Sequence, residues 1–480
     1  MDRGPLERID SFPYRHKVAD LMSAPAITVE PSADLREAAR LMKARGISAL
    51  LAVDGENRPA GILTERDVLR LLAERGGDAA AIRVADAMRS PVHSIGSQHL
   101  VYLAIARMDR LGVRHLAVVD ERSGRLQGVL SARALLRQRA SQALVIGDAI
   151  DRAESGAELA AVHRQLPMLA SALVKEGVPA VQIAGVIAGI TRDIHTRVAA
   201  LAEAAMEREG RGAAPAPWCF LVLGSAGRGE SLLAADQDNA LIHGWPEEDH
   251  PWFKEFAARL ADMLNEAGIP YCRGDVMAKH SLWRRNLADW QKRIGRWAAQ
   301  PHGENLLAVD IFLDFRPVAG DFALARALRE ETRRATASRV FLLALAEELF
   351  TLSKGLGLFN RFRADGGRID LKRDGLLALV SGARVLALHH GVEALGTAER
   401  LAAVMEAKGL EPRDGLLLKD AQELFLSVIL DQQLADIAAG LPPTTKVAIR
   451  RLNPVVRERL RSALKEIDLM DWAVRGALAK

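Results

Sequence analysis

Two octapeptides set 66 residues apart, VADLMSAP from Val18 and VADAMRSP from Val84, constrain the first third of the chain more than any other feature. At the same offset Gly46 aligns with Gly112 and Asp54 with Asp120; after one inserted residue Gly61 aligns with Gly128 and Thr64 with Ser131. So long a period exceeds a solenoid repeat and indicates two copies of one small domain. Each copy reads as short strand, helix, strand, turn, strand, helix. The helix Leu35 to Arg45 leads into Ile47 to Val53, a turn falls at Asp54-Gly55, and Gly61 to Leu63 runs into a helix capped by Thr64. The first copy carries Thr64-Glu65-Arg66-Asp67, whereas Ser131-Ala132-Arg133-Ala134 in the second keeps the hydroxyl and loses the carboxylate.

The middle of the chain, Phe220 to His243, reads FLVLGSAGRGESLLAADQDNALIH. The pattern predicts an apolar strand (Phe220 to Leu223), a small-residue turn (Gly224 to Gly227), a short helix opened by Arg228, Gly229 and Glu230, and a second strand carrying Asp236 and Asp238. Residues two apart on a strand share a face, so the two carboxylates project together and repel. Such a pair is tolerated when a divalent cation or a shared proton sits between them, and hard oxygen ligands suit Mg2+. Backbone N–H groups of a Gly-Ser turn can approach a phosphate closely, and the helix after it adds the positive end of its dipole. A pocket shared by metal and phosphate is therefore expected.

Gly224-Ser225 followed by Asp236-x-Asp238 resembles the signature of the DNA polymerase β-like nucleotidyltransferase superfamily. The fuller string GSAGRGE…DQDNALI is similar to the uridylyltransferase of nitrogen signalling and, more closely, to the bacterial family of CBS-domain-linked nucleotidyltransferases. From Val18 to about Arg139 the duplicated region resembles a tandem CBS-domain pair. The resemblance implies transfer of a nucleoside monophosphate from ATP or UTP to an acceptor, assisted by two Mg2+ (or Mn2+) ions. It implies catalytic and metal-binding roles for Asp236 and Asp238, a triphosphate cradle at Gly224 and Ser225, and charge neutralisation by Arg228. A third carboxylate is implied on a later strand. The segment LLAVDIFLDF, Leu306 to Phe315, alternates as a strand would, and Asp314 in its FLDFR context is the first choice, with Asp310 on the same face as the fallback. For the CBS pair the resemblance implies an adenosine nucleotide between the halves, gripped by Thr64 and Asp67. The alternative for these two residues is a local helix cap. Loss of the acid at Ala134 leaves one working ligand site expected.

At 480 residues the chain should divide into about three domains. An apolar fraction of 49% with 26% charged residues is that of a soluble globular protein. The net charge of +4 is small, and no block of lysine and arginine with interleaved aromatics occurs, so DNA is not an expected partner. Cys219 and Cys272 form no metal-type or redox-type pair, which excludes a disulfide framework and a cysteine-type zinc site. The charged, proline-interrupted N-terminal MDRGPLERIDSFPYRHK is expected to be neither a signal peptide nor an anchor. The longest apolar run, Ala180 to Ile190, is too short to span a bilayer and reads as a buried helix. No membrane partner and a cytoplasmic location are expected.

Elsewhere the signals are weaker. From Ser141 to Glu209, apolar residues such as Leu159, Val162, Leu166, Leu169 and Leu173 recur at helical spacing, with His163 and His195 read as packing or surface residues. EGRGAAPAP, from Glu209, is a linker; an amphipathic helix from Trp252 to Ala267 and a turn at Gly268-Ile269-Pro270 follow. In the loop and short strand Arg273 to Lys279, Asp275 and Lys279 fit contact with substrate as well as a solvated pair. Arg114 and His115 fit a half-exposed strand better than a phosphate site. Trp283, Trp290 and Trp297, seven apart, read as a helical stripe that serves packing rather than base stacking. After Gly320 the pattern is helical without strand signals, and resembles the family's helical domain, proposed to hold the acceptor. Arg384 with His389, and the row Arg457, Arg461 and Lys465, receive no functional role.

The expected architecture is multidomain α+β. A tail (1–17) precedes a tandem CBS (βαββα) pair (18–140), a helical linker (141–215), a polymerase β-like α/β nucleotidyltransferase domain (216–322) and a C-terminal all-α bundle (323–480). The expected protein is a cytoplasmic signalling enzyme, homodimeric as CBS pairs generally are. Its Mg-dependent transferase would be regulated by adenosine-nucleotide binding, with the acceptor open among a protein, a small molecule and an RNA end. The alternative is a non-catalytic nucleotide-sensing interaction protein that uses the transferase fold for binding only.

Overall fold

The computed structural model describes residues 16–132, 134–135, 146–247, 249–300, 304–352 and 355–479. The expected tail as far as residue 15, the end of the second copy beyond 135 and the first residues of the expected linker lie outside them. The chain forms two compact units, 1–144 and 145–480.

In the first unit β1 (Thr28–Val29), β2 (Ala49–Val53) and β3 (Pro59–Thr64) form one sheet, and β4 (Ser94–Gly96), β5 (His115–Val119) and β6 (Leu126–Ser131) form its counterpart. In each, the first pair is parallel and the second antiparallel. The helices Leu35–Arg45 and Val101–Leu111 end on Gly46 and Gly112, both left-handed (φ 61° and 62°), so these aligned glycines are helix caps. The sequence repeat is not the packing unit, however. Val18 and Leu21 of the first octapeptide are buried with Ile95, Val101 and Leu116 of the second copy. Val84 and Ala87 are buried with Leu35, Leu50 and Leu63 of the first. Ser23 bridges to Val129, and Arg89 bridges to Ile62. The aligned glycines Gly128 and Gly61 sit at these crossings: an added Cβ would lie 2.8 Å from the Ser23 carbonyl oxygen and 2.3 Å from the Met88 sulfur. Each copy therefore begins on the other's sheet, and Leu51, Ala117 and Leu126 close the seam.

The second unit is built on a four-stranded sheet of order β10-β7-β8-β9, with β7 (Trp218–Val222), β8 (Asn239–His243), β9 (Arg284–Asn286) and β10 (Arg316–Gly320). β7 pairs antiparallel with β8 and β10, and β9 joins β8 in parallel. Every residue of β7 and β8 is buried, the polar Asn239 and His243 at the ends of β8 included. The apolar run from Ala180 opens a 29-residue helix, Ala180–Arg208. His195 on it is buried, which holds its imidazole down at about 4. Among the described residues no helix is long and apolar enough to cross a membrane.

Two expectations are corrected here. The segment read as an alternating strand is the helix Glu304–Phe312, followed by a turn into β10. A short apolar run fits a buried strand or a buried helix equally by periodicity. Packing decides it: Phe312 stacks on Trp290 (ring centroids 4.7 Å) and meets Trp297 at 5.5 Å, while Val309 one turn earlier is also buried. The C-terminal region also contains strands, β11 (Arg368–Asp370) paired antiparallel with β12 (Lys446–Ala448). Each has three residues, too few for a period to show.

One hydrophobic core spans the whole second unit, from Leu159 and Ile183 through Phe220 and Leu241 to Phe425 and Leu464. The ranges expected as linker, transferase domain and bundle thus pack together. Glu423 in the helix Pro412–Ala438 accepts the N–H groups of Ala180 and Val181 (2.6 and 2.9 Å), capping the long helix from the far end of the sequence. Trp290 is fully buried, with ring centroids 6.4 Å from Trp283 and 6.3 Å from Trp297, and its indole N–H donates to the Leu241 carbonyl. Trp290→Ala is expected to lower the stability of this unit by about 3–5 kcal/mol, read as a reduced urea midpoint; an unchanged midpoint would refute the packing role.

Candidate active site

Strand β8 begins only at Asn239, so Asp236 and Asp238 precede it rather than lie on it. The alternation expected of a strand persists because the intervening residues are pinned. Gln237 is fully buried and donates to the carbonyls of Ala261 and Ile269 (both 2.9 Å). Asn239 is buried and accepts from the Ala278 N–H at 2.8 Å. The carboxylates, half-buried, are left on the other side. The Leu223 N–H donates to the Asp238 carbonyl at 2.8 Å and ties the acidic segment to the end of β7.

The glycine turn is itself the helix: Gly224–Arg228 is helical, and Gly229 (φ 79°) ends it where a helix was expected to begin. Two glycines let it close on the acidic segments. Gly224 has φ 53°, and a Cβ there would lie 2.9 Å from Oδ2 of Asp238; a Cβ on Gly227 would lie 2.0 Å from the Asp314 carbonyl oxygen. Arg192 donates to the Ala226 carbonyl (3.0 Å) and Arg316 to that of Gly227 (2.8 Å), satisfying groups at the helix end.

Burial first, and the adjoining Asp236 second, push the Asp238 carboxyl up to about 6; a hydrogen bond from Cys272 and the charges of Lys372 and Arg228 act against them. Cys272 comes close because the chain returns beside the acidic segment after the turn at Gly268, where Gln237 bridges to Tyr271. Burial, with Asp238 beside it, pushes the Cys272 thiol up to about 12. One ligand atom from each of Asp236, Asp238 and Cys272 lies within 4.8 Å of the others. Metal–oxygen distances of roughly 2.0–2.6 Å let a single divalent cation reach such a group and relieve the crowding of two carboxylates.

Asp314 is placed differently. It is fully buried, and both oxygens are taken by arginines. Arg228 and Arg384 donate to Oδ2, each at 2.6 Å, and Arg400 donates to Oδ1 at 2.7 Å. Burial works to raise its pKa, but the charges of Arg384, Arg400 and Arg228 outweigh it and hold the carboxyl far below the usual range. Arg384 also pairs with Asp310, and Arg228 with Glu230 at 2.8 Å. Glu230 in turn accepts from the Thr397 N–H (2.6 Å) and from Gln422 (3.0 Å). Asp314 is thus absent from the group of potential metal ligands among the described residues, and instead joins the glycine helix to the C-terminal helices.

A cleft of about 270 Å³ opens over these groups. Gly224, Ser225, Arg228, Glu230 and Asp238 line one wall and Asp310 with Ile311 another. The third is supplied by the C-terminal helices through Lys372, Arg384 and an apolar strip of Leu376, Leu377, Val380, Leu426 and Ile429. The sequence reading overlooked Cys272, Glu230, Lys372 and Arg400, and set Arg384 aside. An arginine in an otherwise apolar helix was the available signal for Arg384, since a buried guanidinium requires a partner.

The remaining predicted positions are described by their own local partners. Thr64 and Asp67 form a capping box: the Thr64 hydroxyl donates to Asp67 Oδ2 at 2.6 Å, and Arg89 donates to Oδ1 at 3.1 Å. Asp67 is fully buried. Asp275 is exposed and 3.4 Å from His280, while the Lys279 ammonium sits 4.0 Å over the Tyr271 ring. On β5, burial and then Arg114 lower the His115 imidazole.

The chain matches family models described as "CBS domain" over 18–74 and 84–141, "Putative nucleotidyltransferase DUF294" over 164–304 and "Putative nucleotidyltransferase substrate binding domain" over 339–476. It is 31% identical over 121 residues to an uncharacterized 17.7 kDa protein of Acidianus ambivalens, a match spanning 25% of this chain and 71% of that protein. Similar solved structures include a CBS-domain containing protein from Agrobacterium tumefaciens, 28% identical, covering 26% of this chain and 99% of that one with a TM-score of 0.24. A CBS domain protein from Pyrobaculum aerophilum, complexed with AMP, is also 28% identical and covers 26% of this chain and 94% of its own, again with a TM-score of 0.24.

Replacing Asp314 leaves three guanidiniums without their shared carboxylate. Asp314→Asn is expected to cost on the order of 3–5 kcal/mol at neutral pH, measured by urea unfolding. Because the native carboxyl titrates below the unfolded one, its contribution is complete above the unfolded pKa of about 4 and is lost only as pH falls through the lower native value. The gap between wild type and variant should accordingly stay constant from pH 7 to about 5 and narrow below about 4; a gap that closes near neutrality would contradict the arginine pairing.

Proposed function

Because the chain belongs to the family that joins a CBS-domain pair to the nucleotidyltransferase domain DUF294 and its C-terminal substrate-binding domain, we propose that it transfers a nucleoside monophosphate from ATP or UTP to an acceptor in the cleft above the Asp-x-Asp segment. The observation that carries this reading is the convergence of Gly224, Ser225 and Asp238 on one cavity, with Asp236 and Cys272 within ligand distance of Asp238. Asp236 and Asp238 would hold Mg2+ or Mn2+, with Cys272 beside them. The cation, when bound, offsets the charge that builds on the α-phosphoryl group and the leaving pyrophosphate. Ser225, whose hydroxyl is 3.2 Å from that of Ser231, offers a donor to phosphate at the cavity wall. Arg228 is oriented by Glu230 and Asp314, so its guanidinium is fixed before substrate arrives. Asp314 serves this positioning rather than metal binding. The apolar strip of the C-terminal helices suits a nucleobase or the acceptor.

The same reading makes the CBS pair a regulatory module for an adenosine nucleotide, with Thr64 and Asp67 gripping it in the first copy. Regulation requires that the ligand bind two states of the protein with different affinity.

The test uses α-labelled ATP and UTP with Mg2+ or Mn2+, purified protein and cell extract, and an Asp236→Asn, Asp238→Asn double variant. Wild type is expected to label an acceptor, and the variant to lose about two to three orders of magnitude in rate, since cation-borne charge stabilisation is worth several kcal/mol. Metal-independent labelling, or labelling that survives in the variant, would refute the reading. Triphosphate binding without any transfer would favour a sensor that uses this fold for binding alone.

A further inference from the structure

Among the described residues three cationic side chains line the cleft, and two of them are already neutralised within it: Arg228 by Glu230 and Asp314, Arg384 by Asp310 and Asp314. The third, Lys372, has no hydrogen bond or ion pair among the described residues, and it is exposed. Its backbone, by contrast, is firmly held. Lys372 opens a π-helical turn, Lys372–Leu376, a rare geometry that is frequent at functional sites. Just before it, the Leu371 N–H donates to the Thr445 carbonyl (3.2 Å), and the Thr445 hydroxyl donates to Asp370 at 2.9 Å. Just after it, Asp374 is fully buried and paired with Arg373 at 2.8 Å, and Gly375 lies so close to Phe425 that a Cβ would stand 3.2 Å from the ring. A rigid turn thus presents one unpaired ammonium, on a flexible stem, to the mouth of a cleft whose other cations are committed.

We propose that Lys372 binds the phosphate chain of the polyphosphate that enters this cleft, so that the C-terminal helices complete the donor site as well as facing the acceptor. This rests on the transferase reading above, and adds to it a residue and a wall of the site. The chemistry fits: an ammonium is a mobile point charge that follows phosphate oxygens in several geometries, whereas the arginines are fixed forks. The position fits too, because Lys372 lines the same cleft as Gly224, Ser225 and Asp238. A cation for the terminal phosphates is then drawn from a segment 134 residues beyond the Asp-x-Asp pair, which makes the transferase half incomplete without the bundle.

The test measures binding of inorganic tripolyphosphate, ATP, UTP and AMP to the full chain with Mg2+ by calorimetry, for wild type, Lys372→Ala and Lys372→Arg. Tripolyphosphate carries no adenosine, which separates this site from a nucleotide site in the CBS pair. Lys372→Ala is expected to weaken tripolyphosphate by roughly ten- to a hundredfold, the range of a charge-assisted hydrogen bond. AMP should change by less than about twofold, and Lys372→Arg should recover most of the loss because the charge is kept. Since Lys372 is exposed and unpaired, thermal unfolding should be the same in all three proteins. Tripolyphosphate binding by Lys372→Ala equal to wild type, or an equal loss for AMP, would overturn the assignment. If wild type still transferred label and lost it on removal of Asp236 and Asp238, the transferase reading would survive that result. Wild type that bound neither tripolyphosphate nor a triphosphate would overturn both.

Discussion

The carboxylate of Asp314, buried among the guanidiniums of Arg228, Arg384 and Arg400, is the contact on which the second unit turns. A lone buried charge of either sign would cost several kcal/mol, and even a pair repays that cost only with good geometry. Here the count closes. Three guanidiniums meet Asp314, Asp310 and Glu230, a neutral set in which each member has at least one partner. The members come from the glycine helix and its cap, the helix Glu304–Phe312 and its end, and the helices Leu377–His389 and Thr397–Glu406. One polar network therefore stitches together segments that a chain-order reading assigns to separate domains, and the apolar core around it does the same.

That arrangement explains what could and could not be read from the sequence. The duplicated region was legible because its markers are local: glycines at helix ends need a left-handed conformation wherever they occur. The exchange of the two octapeptides was not, since nothing in VADLMSAP says whose sheet it joins. The strand before the glycine turn and the shared side of Asp236 and Asp238 were legible from alternation, even though β8 starts only after both acids, at Asn239. The helix Glu304–Phe312 was misread because its pattern is decided by Trp290 and Trp297, which lie on another element.

The site shows the same division. Asp236, Asp238, Gly224 and Ser225 stand within fifteen residues of one another, and their spacing carries a geometric meaning. Cys272, Lys372, Arg384 and Arg400 come from distant segments, and only folding brings them near. Asp314 illustrates the limit: an acid in the right context can be recognised, but whether it faces a cation or a cluster of guanidiniums depends on residues 70 and 86 positions away.

Once the Asp314 network is set aside as internally neutral, the charged groups left at the cleft among the described residues are Asp238 and Lys372 on its lining, with Asp236 next to Asp238. Two acids against one ammonium make the entrance mildly negative, a poor reception for a triphosphate alone. On the transferase reading, the polyphosphate and its divalent cation then favour each other's entry, because each cancels the charge that would repel the other. The raised pKa of Asp238 has burial as its first cause and the repulsion of Asp236 as its second. On that same reading metal and donor would be coupled through ordinary Coulomb interactions in a confined space, one bounded by the closed arginine network.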